Sequence, residues 1–442
     1  MALPDGKVAR LLGAEQERFE AARPRSAALA SNARAVMPNG VPTSWQYLMY
    51  DHAPVWVASG KGASFEDVDG HGYADFNIAD TSAFCGHAPE PTTRAVAQRL
   101  AAGAQFLLPT EDAVWVATEL AGRYGLPAWQ FTLAATTANV EAIRLARYAT
   151  GRDTIVVFDG FYHGGADEFF AEAGSDGVVS GQLGIPRSAL TGVRVVSFND
   201  PDALRTALAD EQVACVLAEP AMTNNQGVIQ PADDFHAALR RAASDTGTLL
   251  VLDETHTQIC GPGGLSRRLG LEPDIVTLGK SIGGGVPVGA YGMTRALATT
   301  FERDGWYGTG GTLFGSALQM AACRATLSEV LVDDAYEHAA RLGGRIADGI
   351  EQVAGEAGLP WRAHRLYARS GYCFTGTLPT NATEGRADLD RQLWSLLRVW
   401  HANRGVWEAI EGAGPAASVA MTDAHVDRYV ESLSDLAGSL TA

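Results

Sequence analysis

From about residue 87 to 330 the sequence alternates short apolar runs with helical patterns, and this alternation restricts the fold more than any other feature. Thr154–Phe158, Val193–Phe198, Val213–Ala218 and Leu249–Leu252 read as strands, the last of them a continuous apolar run. Strands of that kind are covered on both faces, as in a parallel sheet. Helical patterns over Thr92–Ala101, Asp112–Tyr124, Ala138–Tyr148 and Phe235–Ser244 supply the covering layers. The expected fold class is α/β, with a large, doubly wound, mostly parallel sheet. Beyond about 330 the pattern changes to a long helix Tyr336–Glu356, a strand-like Tyr372–Thr377 and two more helices. These predict a smaller α+β domain, completed by the amino-terminal segment. There an amphipathic helix is expected over 11–36, followed by short strands at Val55–Val57, Ala63–Phe65 and Tyr73–Phe76. The predicted division is 70–330 for the large domain and 1–69 with 331–442 for the small one.

Composition narrows the partners. Of 442 residues 46% are hydrophobic and 19% charged, enough apolar material for a sizeable core. The net charge of −17, with no basic stripe, argues against nucleic acid or an anionic membrane as partner. Neither an apolar leader nor a membrane-length apolar window is apparent. Cys85, Cys215, Cys260, Cys323 and Cys373 form an odd, scattered set. That set suits reduced thiols, and a cytoplasmic location is expected.

Chemistry concentrates where the apolar run Thr248–Leu252 ends in Asp253-Glu254, the end at which open α/β sheets place their ligands. A second short strand, Asp274–Leu278, delivers Gly279-Lys280-Ser281 and then Gly283-Gly284-Gly285. The tail of a phosphate loop is ruled out, because that motif needs glycine where this chain has Asp274. An acid and a lysine at two strand ends suit pyridoxal phosphate. That cofactor needs an amine for its Schiff base and an anion to keep its ring nitrogen protonated.

Three further stretches bear on this reading. Thr132–Asn139 is a small-residue turn opening a helix, and free N–H groups at such an end favour a phosphate. Phe158–Gly165 closes a strand and carries Tyr162, an aromatic able to stack on a flat ring. Gly308–Gly315 is a glycine-rich loop whose backbone can approach an anion. Each also has an ordinary structural reading: a helix start, a packing aromatic, a connecting loop. No metal is expected, since His163, His256 and Cys260 belong to no spacing that supplies three or four ligands.

In this order and spacing the stretches resemble the class III, fold type I, pyridoxal-phosphate aminotransferases, within the branch of glutamate-1-semialdehyde aminomutases and β-amino-acid aminotransferases. The resemblance runs from Phe65-Glu66-Asp67-Val68-Asp69-Gly70-His71 through Gly86-His87-Ala88-Pro89 to the carboxyl-terminal helices. It implies a cofactor of pyridoxal 5'-phosphate carried on Lys280, which also moves protons. It further implies a ring nitrogen held protonated by Asp253, a ring stacked on Tyr162, and a phosphate bound by Ala135 and Thr136. Thr312 would reach the same phosphate from the neighbouring subunit of a homodimer with shared sites. Glu219-Pro220 matches a further landmark near the ring. The implied activity is transamination between an amine or amino acid and a keto or aldehyde acceptor. The alternatives are a glutamate-1-semialdehyde-type 2,1-aminomutase and a non-catalytic relative.

The departures are informative. Ala134-Ala135-Thr136-Thr137-Ala138 stands where the family has Ser-Gly-Thr-Glu-Ala, so one hydroxyl and one glutamate are missing. Thr255 and His256 replace the usual continuation of the Asp-Glu pair, and a buried, satisfied histidine is expected. Neither Val41–Tyr47 nor Trp407–Gly412, the stretches where the β-amino-acid branch holds a substrate carboxylate, has an arginine. Two alternatives follow, a substrate that is an amine or a carboxylate met by another arginine such as Arg369.

Overall fold

The computed structural model describes residues 6–50, 52–175, 177–223, 227–303 and 310–442. It divides into two compact units, one of 90–336 with 379–385, the other of 1–89, 337–378 and 386–442.

The first unit is built on a seven-stranded sheet. Its strands in chain order are β1 (Ala128–Thr132), β2 (Thr154–Phe158), β3 (Val193–Val196), β4 (Val213–Ala218), β5 (Leu249–Asp253), β6 (Ile275–Leu278) and β7 (Gly289–Met293). They lie in the order β1-β7-β6-β5-β4-β2-β3. The pairs from β6 to β3 are parallel. Only β7 runs the other way, antiparallel to both β6 and β1. The six remaining strands therefore present their carboxyl ends on one edge. Every residue of β4 is buried, as the unbroken apolar run requires. On one face lies the helix Ala135–Thr150, whose Ala138, Ala142 and Ala146 recur every fourth residue and form one close-approach stripe. Those alanines and Leu145 pack against Ile155, Val157, Cys215, Leu217, Val251 and Ile275. This layer fixes the helix start over the edge where the strands end.

The second unit holds an antiparallel set Val57–Lys61, Ser64–Asp67 and Gly72–Asp75, with Val406–Trp407 added in parallel. Phe19, Phe65, Tyr73, Val399 and Trp407 form its aromatic cluster. The hairpin Arg362–Leu366 with Arg369–Cys373 completes its strands. Arg369 is buried and its Nη2 lies 3.4 Å from Asp80. The single helix predicted over 11–36 is two, Lys7–Ala21 and Pro24–Ala33. Pro24 explains the break: it lacks an N–H and restricts Arg23, so it starts a helix but does not continue one.

Candidate active site

Asp253 closes β5 and is 2% exposed. Its Oδ2 accepts hydrogen bonds from Asn139 Nδ2 at 2.7 Å and from His163 Nδ1 at 2.9 Å. Its Oδ1 accepts from the Thr255 N–H at 3.0 Å and the Thr255 hydroxyl at 2.5 Å. Burial alone would raise this carboxyl. The contacts with His163, Thr255 and Asn139 outweigh burial and hold it down at about 2. A permanently ionised acid thus sits in the interior. Asn139 also donates to the His163 carbonyl at 2.9 Å and accepts from the Thr277 hydroxyl at 2.5 Å. One amide therefore ties the helix, β5, β6 and the loop after β2 together. The adjacent acid faces elsewhere. Glu254 accepts from the Leu265 and Ser266 N–H groups at 3.1 and 2.6 Å, closing the start of the helix Gly264–Arg268.

Lys280 follows β6 in a left-handed conformation, φ 52°. A non-glycine residue there is strained, and such strain gathers at functional sites. Gln258 Nε2 braces the position, donating to the Gly279 and Thr255 carbonyls at 2.8 Å each. The Lys280 amine is hydrogen-bonded to His256 Nε2. His256 is buried, as expected for a satisfied histidine, but its partner on this side is the lysine itself.

The phosphate-binding candidates lie where β1 meets its helix. No side chain caps the helix at Ala134, so the N–H groups of Ala135 and Thr136 lack that competitor. Two glycines leave room beside them. A Cβ on Gly279 would fall 3.0 Å from the Ala135 nitrogen, and one on Gly164 (φ +106°) would strike the Thr136 hydroxyl. Thr136 Oγ1 also accepts a long bond, 3.4 Å, from the Gly165 N–H. The missing side chains and the open helix end make a cradle of the kind that accepts phosphate.

Tyr162 is half-buried, next to the anchored His163, with its ring 6.4 Å from that of Phe170. Thr312 is exposed and its carbonyl accepts from Gln105 Nε2 at 3.1 Å, apart from the bonded cluster. Gly308 and Thr309 of the glycine-rich loop lie outside the described residues. Ala135, Thr136, Tyr162, Asp253 and Lys280 all come to the carboxyl edge of the sheet. Sequence reasoning missed Asn139 and Thr277 and gave His163 no role beyond that of a rejected metal ligand. Among the described residues no group of three or more His, Cys, Asp or Glu could hold a metal ion.

The family model for class III aminotransferases matches residues 48–358, well over half the chain. The chain belongs to the class III aminotransferase family. A glutamate-1-semialdehyde 2,1-aminomutase of Gemmatimonas aurantiaca is 36% identical over 79% of this chain and 81% of its own. Among solved structures, a variant of a glutamate-1-semialdehyde-aminomutase from Pseudomonas aeruginosa PAO1, in complex with PMP, is 37% identical. It superposes with a TM-score of 0.94 over 100% of both chains. A β-phenylalanine aminotransferase from Variovorax paradoxus is 28% identical, with a TM-score of 0.89 over 98% of this chain and 97% of its own. Class III aminotransferases are pyridoxal-phosphate enzymes of fold type I, and this one has the mixed sheet of that fold.

Proposed function

We propose that this class III aminotransferase moves an amino group between an amine or amino acid and a keto or aldehyde acceptor, with Lys280 holding the cofactor. The observation that carries the assignment is the meeting of three features at one sheet edge. These are the buried, ionised Asp253, the strained Lys280 and the uncapped helix end with its glycine-lined cradle. When bound, pyridoxal phosphate supplies a ring that takes up the electron pair left as a proton departs from the substrate's amine carbon. The protein's part is positional and electrostatic. Ala135 and Thr136 would hold the phosphate, Asp253 would keep a proton on the ring nitrogen, and Tyr162 would stack on the ring. The Lys280 amine takes a proton from the substrate carbon and returns one to a neighbouring atom.

Borohydride reduction of the purified protein followed by peptide mapping is expected to place the cofactor on Lys280. A label on another lysine, or none after cofactor addition, overturns the assignment.

The relatives named as aminomutases favour a second reading with the same residues, a 2,1-aminomutase. Product analysis separates the two: a mutase returns an isomer with no acceptor added, whereas a transaminase needs one. The absence of arginine from Val41–Tyr47 and Trp407–Gly412 points to donors with no carboxylate close to the amine. The functional unit is proposed to be a homodimer in the cytoplasm. Five free, buried cysteines support the compartment. Among the described residues, no helix is long and apolar enough to cross a membrane.

A further inference from the structure

Behind Lys280 runs a chain of buried polar groups. Its amine is bonded to His256 Nε2, His256 Nδ1 lies 2.8 Å from the Thr223 hydroxyl, and that hydroxyl lies 2.5 Å from Glu219 Oε2. His256, Thr223 and Glu219 are 4%, 1% and 3% exposed. The proton positions follow from the ends. A carboxylate only accepts, so the Thr223 O–H donates to Glu219 and its oxygen accepts from His256 Nδ1–H. His256 is then the tautomer whose Nε2 lone pair faces Lys280. All the bonds point one way, from amine to carboxylate.

We propose that His256 is the proton acceptor of Lys280, with Thr223 and Glu219 as positioning residues that hold it in the accepting tautomer. This rests on Lys280 as the lysine that takes up the cofactor. In the step, one N–H bond of the Lys280 ammonium breaks and its electron pair stays on Nζ. The proton forms a bond to Nε2 of the neutral imidazole. The resulting imidazolium faces Glu219, whose Oε2 is 3.9 Å from Nδ1. The reverse step returns the proton. Among the described residues, neighbouring titratable groups have partners of their own. Asp253 is bonded to Asn139, His163 and Thr255, and Glu254 to the helix Gly264–Arg268. His236 Nε2 bonds the Pro220 carbonyl at 2.7 Å. The arrangement gives the Lys280 ammonium a fixed acceptor for the proton that it must lose before its lone pair can react.

The test follows cofactor uptake. The full chain, stripped of cofactor, is mixed with pyridoxal phosphate between pH 6 and 10, and the rise of the visible band is timed. His256→Gln fills the same space but cannot take a proton. It is expected to be at least tenfold slower at pH 7 and to approach wild type as pH rises, because hydroxide then does the work. Thr223→Val, which keeps the imidazole but cuts its link to Glu219, is expected to change in the same sense by a smaller factor. If His256→Gln does not accumulate folded, Thr223→Val decides the matter alone. A wild-type profile, or slowing by one constant factor at every pH, overturns the proposal. Borohydride mapping of the wild type is run alongside. A label away from Lys280 sinks the underlying assignment, whereas a label on Lys280 with unchanged profiles sinks only the role of His256.

Discussion

Asp253 stays ionised in surroundings that by themselves would neutralise it, and the cause is a set of donors drawn from three places in the chain. If its charge keeps the ring nitrogen protonated, Asp253→Asn preserves the shape and removes the effect. Turnover is expected to drop by about 100-fold or more, while Lys280 is still labelled by borohydride. Near-normal steady-state turnover in Asp253→Asn would show that the ring nitrogen is held otherwise. The strand-end positions of Asp253 and Lys280 were legible because a charged residue closing an apolar run stands out locally. Their supports were not. Asn139 and His163 precede Asp253 by 114 and 90 residues, and His256 lies 24 residues before Lys280. Such contacts are made by the topology of the sheet, and nothing in the local pattern marks them.

Among the elements, the apolar strands of the parallel part were readable because burial on both faces leaves an unbroken run. Strands β1, Ala128–Thr132, and β7, Gly289–Met293, were not foreseen. β1 mixes polar with aromatic residues and β7 carries two glycines, so neither has the β-branched density that signals a strand. The segment after Val406–Trp407 hides a different device. Glu408 accepts from the Ala409 N–H at 2.7 Å and the Tyr429 hydroxyl at 2.6 Å. Burial nevertheless pushes its carboxyl up to about 7 from an ordinary 4.5. His401, 3.8 Å away, is pushed down to about 3 by burial, so the pair is not an ion pair near neutrality. Between about 4.5 and 7 the folded Glu408 keeps a proton that the unfolded chain has lost, while up to about 6.5 the folded His401 lacks one that the unfolded chain carries, so the two contributions oppose each other. Stability from this group is full below that window and is lost as pH rises through it, on the order of 3 kcal/mol in all. Thermal melts are expected to show the wild-type Tm falling relative to that of Glu408→Gln from pH 5 to 7.5, the opposing His401 contribution being common to both. Parallel profiles would mean that Glu408 is already ionised when folded.

For the whole molecule the proposed dimer is the point at issue. Leu107 and Leu108 are 75% and 70% exposed, and Phe106 and Leu313 are each 48% exposed. The Gln105 bond to the Thr312 carbonyl brings the two loops together, so these side chains border Thr312. An apolar patch around a residue proposed to serve a neighbouring site is what a second copy of this chain would cover. Leu107→Asp with Leu108→Asp is expected to yield monomers by light scattering, with cofactor retention weakened. Mixing Lys280→Ala with Thr312→Ala protein is expected to restore part of the activity, since one site in each hybrid regains both residues. An active monomer on dilution would refute the shared site.

The cradle beside Ala135 and Thr136 owes its space to side chains that two positions do not have, which limits what either can inherit. A methyl at Gly164 strikes Thr136, and one at Gly279 presses on the Ala135 backbone, whereas a Cβ at Gly165 would meet nothing within 4 Å. Adjacent glycines therefore differ in tolerance: Gly165 has room for a side chain, while at Gly164 the φ of +106° strains any other residue and a Cβ would meet the Cβ and Cα of Thr136 as well as its hydroxyl. Inherited variation at this turn is therefore expected to collect at 165 and to spare 164 in every background.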